Sequence, residues 1–425
     1  MALSEKLIIT GGTRLVGSVA ACGAKNAAVA ILPAAMLAEG PCTIENLPDI
    51  LDVKLLNEIS SLLGAKVDYN PQAHSLRVDA SHGVSHQATF EIVRNMRASY
   101  YYLGSLLGRF GKAEIALPGG CSIGQRPIDL HLKGMSAMGA EIEVKEGMVV
   151  ARAKGGRLHG AEIYLDVVSV GATANLMMAA VMAQGNTTII NAAKEPHVVD
   201  LANFLNSMGA KIKGAGTDVI RIRGVEQLHG CTYAVIPDQI ETGTLMIAAA
   251  ASMGDVTITN VIPMHMESVT AKLLEMGVHV TEGPDTIRVQ ADHRPGRVTI
   301  KTLPYPGFPT DLQQPISSLL CVAEGTSMVV ENIFEDRFKH LTMLQRMGAK
   351  SSVSGRVAVI EGVDRLYGAP VEASDLRAGA ALVIAGLIAQ GDTMVGSLHH
   401  IDRGYAHLEE KLRSLGAKIR RADVD

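Results

Sequence analysis

A Leu/Met-Gly-Ala/Val tripeptide recurs six times along the chain, at Leu63-Gly64-Ala65, Met138-Gly139-Ala140, Met208-Gly209-Ala210, Met276-Gly277-Val278, Met347-Gly348-Ala349 and Leu415-Gly416-Ala417. Successive glycines stand 75, 70, 68, 71 and 68 residues apart. That period exceeds the units of about 20 to 50 residues that build the common solenoids. Each tripeptide closes a helical pattern and opens a β-like one, which puts its glycine just beyond a helix C-terminus. Upstream, an Ala-rich helix apolar on all sides ends at Gly40, Gly111, Gly185, Gly254, Gly325 or Gly391. A β-branched run follows, such as Thr187 to Asn191 or Val256 to Asn260, then a loop and an amphipathic helix. The chain is therefore expected to be α/β, a β-α-β-α-β unit of about 70 residues used six times.

At 425 residues the chain exceeds one ordinary core. It is 47% hydrophobic but 4% aromatic, with no Trp, so its cores must be close-packed Ala, Leu, Ile, Val and Met. A net charge of −4 gives no electrostatic case for nucleic acid or an anionic membrane. The N-terminal residues lack a signal-like apolar stretch, and the apolar run Ala378 to Ala389 is too short for a bilayer. Five scattered cysteines without a CxxC pair suit a reducing cytoplasm. Neither GxGxxG after a strand nor a P-loop occurs, and no histidine spacing suits zinc.

The repeat also measures the loops. From upstream glycine to tripeptide glycine the separations are 24, 28, 24, 23, 23 and 25 residues. The excess in the second unit falls in Leu117-Pro118-Gly119-Gly120-Cys121-Ser122-Ile123-Gly124-Gln125-Arg126-Pro127. A free cysteine is ordinarily a small buried hydrophobe, and Cys22, Cys42, Cys231 and Cys321 read as packing residues. Cys121, bracketed by glycines and five residues from a guanidinium, reads as a reactive thiol instead. Charged loop positions recur at Arg126, Asp336-Arg337 and Asp402-Arg403. The core-helix starts form a second set, with Lys25-Asn26, Arg97, Ser169 to Thr173, Glu241 to Thr244, Asp311 and Asp375 to Arg377. Free N–H groups at helix starts suit phosphates and carboxylates, although Ser, Thr and Asp there are ordinarily plain caps and loop arginines ordinarily solvated.

Taken together, Gly23-Ala24-Lys25-Asn26-Ala27, Met96-Arg97-Ala98-Ser99, the Cys121 loop, Arg126-Pro127-Ile128-Asp129-Leu130-His131, Ser169 to Thr173, Phe308-Pro309-Thr310-Asp311, Arg337-Phe338, Asp375-Leu376-Arg377 and His400 to Tyr405 resemble the enolpyruvyl transferases. The likeness is to the branch acting on UDP-N-acetylglucosamine. It implies two lobes, each an inside-out α/β barrel of three repeats. One spans residues 25–235 and the other 1–24 plus 236–425, with the active site in the cleft between.

The implied reaction moves the enolpyruvyl group of phosphoenolpyruvate to the 3′-hydroxyl of UDP-N-acetylglucosamine and releases phosphate, the committed step of peptidoglycan synthesis in the cytoplasm. By the same resemblance Cys121 is the proton donor, able to form a covalent adduct and to be alkylated by fosfomycin, and Asp311 is the base. Lys25, Arg126 and Arg403 hold the phosphate. Arg337 and Arg377 hold the carboxylate, with Asn26 and Asp375 beside phosphoenolpyruvate. Asn26, Arg97, Arg126, Pro127, Ile128, Asp129, Leu130, Ser169, Val170, Gly171, Asp311 and Ile333 contact UDP-N-acetylglucosamine. No cofactor or metal is implied. Two alternatives stay open: the sister activity on shikimate 3-phosphate, whose family lacks the Gly-Gly-Cys loop, and a non-catalytic sugar-nucleotide-binding homologue. Gln125 and the run Tyr100 to Tyr102 depart from the family pattern without removing a functional group.

Overall fold

The computed structural model describes residues 4–88, 97–116 and 128–424. Among them are six four-stranded sheets with one shared topology. In the third repeat, Glu162–Tyr164 runs parallel to Asn186–Ile190, which pairs antiparallel with Val219–Arg223, itself the hairpin partner of Lys211–Lys213. Each repeat thus contributes a short strand, a core helix, a strand, an outer helix and a hairpin. The pattern is β-α-β-α-β-β, one strand longer than the five-element reading, because the chain after each of the first five tripeptides turns back on itself. After the sixth, the N-terminal strand Ser4–Thr10 takes the hairpin partner's place.

The tripeptide glycines do what their position demands. Gly64, Gly139, Gly209, Gly277, Gly348 and Gly416 all have φ between 83° and 103°, the left-handed backbone that ends a helix without a Cβ penalty. Of the upstream glycines, Gly254 differs. Met253 makes the left-handed turn at φ 51°, and a Cβ on Gly254 would stand 2.5 Å from the Leu15 carbonyl oxygen.

The chain divides into two compact units. One takes in Met1–Cys22 and Pro237–Asp425, the other the described residues from Gly23 to Ile236. Each closes on its own ends. Thr232–Ala234, the last strand of the Gly23–Ile236 unit, lies parallel to Pro41–Glu45, its first. In the other unit Val16–Ala20 lies parallel to Asp255–Thr259, and Ser4–Thr10 sits between Asp392–Gly396 and Lys418–Val424.

The six core helices are α1 Lys25–Ala34, α2 Tyr101–Phe110, α3 Val170–Ala180, α4 Gln239–Ala251, α5 Gln313–Leu320 and α6 Leu376–Ile388. In α6 every residue from Arg377 to Leu387 is buried, as expected of a helix apolar on all faces. Within the Gly23–Ile236 unit α2 packs on both α1 and α3; within the other, α4, α5 and α6 pack on one another. The α2–α3 approach is close because Gly104 and Gly108 face α3. A Cβ on Gly104 would come 2.3 Å from the Asn175 carbonyl oxygen, and one on Gly108 2.7 Å from that of Met178.

Cys42 and Cys321 are buried packing residues. Cys22 and Cys231 are only half-buried and polar in their contacts, which differs from the sequence reading. The Lys411 ammonium donates to Cys22 Sγ at 3.0 Å, and Ser207 Oγ donates to Cys231 Sγ at 3.3 Å. Among the described residues no helix is long and apolar enough to cross a membrane.

Candidate active site

The described sequence-predicted residues lie in both units, most of them at core-helix starts or in the turns beside them. In the unit holding Pro237–Asp425, Asp311 lies on the single turn Thr310–Leu312 that leads into α5. Its carboxylate is shared by two guanidiniums: Arg337 Nη2 is 2.8 Å from Oδ1 and Arg377 Nη2 is 2.9 Å from Oδ2. Both arginines are 3% exposed. Burial works against the charge on Arg377, but Asp311 and Tyr405 outweigh it and hold its pKa above the ordinary guanidinium value.

Two buried cations on one carboxylate leave this trio with one surplus positive charge, which an anion could neutralise. Arg337 Nε, moreover, is buried without an acceptor among the described residues. Such an orphan donor is costly unless a ligand or water meets it.

The surrounding residues fix the trio. Glu331, fully buried, accepts from Thr302 Oγ1 and Thr310 Oγ1, both at 2.9 Å, and from the Ile333 and Phe334 N–H groups. Thr310 Oγ1 in turn accepts from Arg337 Nη1 at 2.6 Å. The strand end, Ile333 and the Asp311 turn are thereby one hydrogen-bonded body. The Phe334 ring lies under the Arg337 guanidinium and the Tyr405 ring under that of Arg377, at 5.1 and 5.3 Å; Tyr405 is anchored to Thr244 Oγ1 on α4 at 2.8 Å.

Asp375 caps α6, its Oδ1 accepting from the Arg377 and Ala378 N–H groups at 2.9 and 3.0 Å. Its Oδ2 accepts from Gln314 Nε2 and Ser374 Oγ, both at 3.2 Å. That is a positioning role for α6, which carries Arg377 on its second residue. Arg403 stands in the turn after His400, and its charge helps lower the His400 pKa after burial and His399. Gly404 lets that turn lie on α6, since a Cβ there would meet Leu376 Cδ2 at 2.5 Å. His340, 1% exposed, is held neutral: burial first, then Arg337, push its pKa down to about 3 against the opposing pull of Asp375.

In the Gly23–Ile236 unit, α1 begins at Lys25-Asn26 with no side-chain cap from Ala24 and no acidic residue in its first turn. A cation at an uncapped helix start is electrostatically unfavourable by itself and suits an anion. Lys25 Nζ lies 3.2 Å from Oδ2 of the buried Asp52. Ser169 caps α3 by accepting from the Ala172 N–H at 3.2 Å, so Val170 and Gly171 form its first turn. The approach to that cap is held by Asn191, whose amide donates to the Leu165 carbonyl at 2.8 Å. Ile128 immediately precedes the helix Asp129–Ala137, which carries Asp129 and Leu130. Arg97 opens the 3-10 turn Arg97–Tyr100 ahead of α2. Cys121, Arg126 and Pro127 lie outside the described residues.

Sequence reasoning missed Glu331 and Asn175 as organising residues, and named Thr244 and Tyr405 only as members of a helix start and a motif. Glu331-Asn332 carries a signal. Asn46, Asn191 and Asn260 each stand six residues after the upstream glycine of their repeat, and in the fifth repeat Glu331 occupies that place with Asn332 following it.

Three comparisons bear on this arrangement. A family model described as EPSP synthase (3-phosphoshikimate 1-carboxyvinyltransferase) matches residues 9–412. UDP-N-acetylglucosamine 1-carboxyvinyltransferase of Clostridium botulinum is 58% identical over 417 residues, 98% of this chain and 99% of that one. UDP-N-acetylglucosamine 1-carboxyvinyltransferase 2 of Clostridium acetobutylicum is 56% identical over 421 residues, 99% of this chain and 100% of that one. Among solved structures, the enolpyruvyl transferase NikO from Streptomyces tendae superposes with a TM-score of 0.89 at 29% identity, covering 100% of both chains. EPSP synthase from Acinetobacter baumannii, at 19% identity and a TM-score of 0.74, shares the fold over 99% of this chain and 100% of that one.

Proposed function

This chain belongs to the EPSP synthase family of enolpyruvyl transferases, and from that premise we propose that it transfers the enolpyruvyl group of phosphoenolpyruvate to the 3′-hydroxyl of UDP-N-acetylglucosamine. Phosphate is the second product, and the reaction serves peptidoglycan synthesis in the cytoplasm. The observation that carries the choice of acceptor is full-length identity of 55–58% to relatives named for that reaction.

The chemistry is addition followed by elimination. A proton adds to C3 of the enol and the sugar 3′-oxygen attacks C2, giving a tetrahedral phosphate ketal with a methyl group. Loss of a methyl proton and of phosphate then restores the C2–C3 double bond. An acid, a base and fixed cations for two anionic groups are required.

Arg337 and Arg377 are the proposed carboxylate ligands. Planar guanidiniums pair two oxygens at once, and Arg337 has a buried N–H in reserve. Asp311 is the proposed base. In the trio it is paired with both arginines; a substrate carboxylate competing for them would release an oxygen of Asp311 for the 3′-hydroxyl. Lys25, Arg126 and Arg403 are the proposed phosphate ligands and Cys121 the proposed proton donor, on the strength of the sequence resemblance. Asn26, Arg97, Arg126 to Leu130, Ser169 to Gly171 and Ile333 are assigned to the sugar nucleotide in the same way. Asp375 we assign to orienting Arg377.

Phosphate release from phosphoenolpyruvate, measured separately with UDP-N-acetylglucosamine and with shikimate 3-phosphate, tests the acceptor. Release only with the sugar nucleotide is expected. Release only with shikimate 3-phosphate would replace the acceptor, and release with neither would leave a binding protein.

A further inference from the structure

Three segments assigned above to UDP-N-acetylglucosamine come from two repeats and three elements: the turn Arg97–Tyr100, the helix Asp129–Ala137 and the start of α3. One side chain touches the first two and is carried by the helix of the third. Asn175, on α3 and 0% exposed, donates from Nδ2 to the Tyr100 carbonyl at 2.9 Å and contacts His131 Nδ1 at 3.0 Å. Its Oδ1 accepts from the Gly104 N–H at 2.7 Å.

The backbone partners fix the amide orientation, since Gly104 can only donate and Tyr100 only accept. The second amide N–H is then directed at His131 Nδ1, so the neutral imidazole carries its proton on Nε2. Burial pushes the His131 pKa down to about 4, consistent with a neutral ring. That ring packs edge-on against Tyr100 at 5.1 Å. Both groups close on Gly171, where a Cβ would stand 2.8 Å from Tyr100 Oη and 3.3 Å from His131 Nε2.

We propose that Asn175 is a positioning residue for the sugar-nucleotide substrate, binding the turn Arg97–Tyr100, His131 and α2 into one frame around the first turn of α3. This rests on the assignment of Ile128 to Leu130 and Ser169 to Gly171 above. All three hydrogen-bonding atoms of the amide are engaged, and no smaller or apolar side chain reproduces the set. Asn175 acts through these neighbours rather than by touching substrate.

The test compares wild type with Asn175→Ala and His131→Phe, measuring Kd for UDP, KM for UDP-N-acetylglucosamine, KM for phosphoenolpyruvate and thermal midpoint. Asn175→Ala leaves a buried carbonyl and a buried N–H unpaired, so UDP and UDP-N-acetylglucosamine should weaken about tenfold, with KM for phosphoenolpyruvate within about twofold. His131→Phe keeps an aromatic ring and the Asn175 bonds to Tyr100 and Gly104. It should shift the same two quantities by a smaller factor and melt close to wild type, which keeps the idea testable if Asn175→Ala folds poorly. Nucleotide binding unchanged in both variants would overturn the proposal. So would equal weakening of both substrates in step with a lowered midpoint. A wild type that binds no UDP would instead remove the functional reading on which the proposal stands.

Discussion

The two units are built from the same repeat three times over, yet their core-helix starts carry opposite kinds of polarity. In the unit of Pro237–Asp425 they are ionic: Asp238 and Asp375 cap α4 and α6, and Asp311 is clamped by Arg337 and Arg377. In the Gly23–Ile236 unit they are largely neutral. An amide, a neutral imidazole and a phenol frame α3, and one ion pair, Lys25 to Asp52, sits at α1. One backbone plan thus supplies two kinds of recognition. Fixed, buried guanidiniums suit a small, densely charged substrate, whereas directional neutral groups suit a nucleotide, whose bases are read by hydrogen bonds and shape.

Six substitutions probe that contrast. The largest effect is expected in the ionic cluster. Asp311→Asn keeps the shape but removes the proposed base and its charge, so turnover should fall about 10²- to 10⁴-fold, read as kcat with both substrates saturating; a loss under tenfold would remove Asp311 from the chemistry.

Next, Arg377→Met should raise KM for phosphoenolpyruvate about 10- to 100-fold, the loss of a charged hydrogen-bonded contact, while Kd for UDP stays near wild type. Equal weakening of both ligands would mean that the two clusters are not separate in role.

Packing gives a smaller, purely structural difference. Gly104→Ala drives a Cβ into Asn175 backbone, whereas Gly379→Ala meets the movable Ile401 side chain at 2.4 Å. The first should cost about 1–3 kcal/mol in denaturant unfolding and the second clearly less. The reverse order would contradict the close α2–α3 approach.

The smallest effect is in pH dependence. His131 and His340 have folded pKa values of about 4 and about 3, both below the ordinary 6.5. The unfolded chain binds the proton first, so each contributes stability that is complete above pH 6.5 and lost as pH falls toward its folded value. Replacing either by Gln should flatten the loss of unfolding free energy between about pH 6.5 and 4, with the His340 variant differing further into acid.

The repeat was legible because it resides in local signals. Tripeptide glycines, strands and helix starts need only neighbours within a few residues, and so do Lys25, Asp311 and Arg377 as positions. What each position touches was not legible. Asn46 donates to a carbonyl 189 residues away and Asn260 to one 239 away. Asp311 meets partners 26 and 66 residues on. Asp375 stands at a helix start in the sequence and so reads as a cap, but its second partner, Gln314, 61 residues away, does not show there. Asn175 sits unmarked in an Ala- and Met-rich helix, and no spacing in the sequence points from it to His131.

The most direct test of the account is to mix the purified protein with phosphoenolpyruvate and UDP-N-acetylglucosamine in D₂O and follow proton and phosphorus NMR. The account predicts inorganic phosphate together with an enolpyruvyl ether on the sugar. Its vinyl methylene should carry deuterium, because the intermediate's methyl group takes one hydrogen from solvent and then loses one. A vinyl product without deuterium would contradict addition and elimination, and absence of any vinyl product on the sugar nucleotide would contradict the function itself.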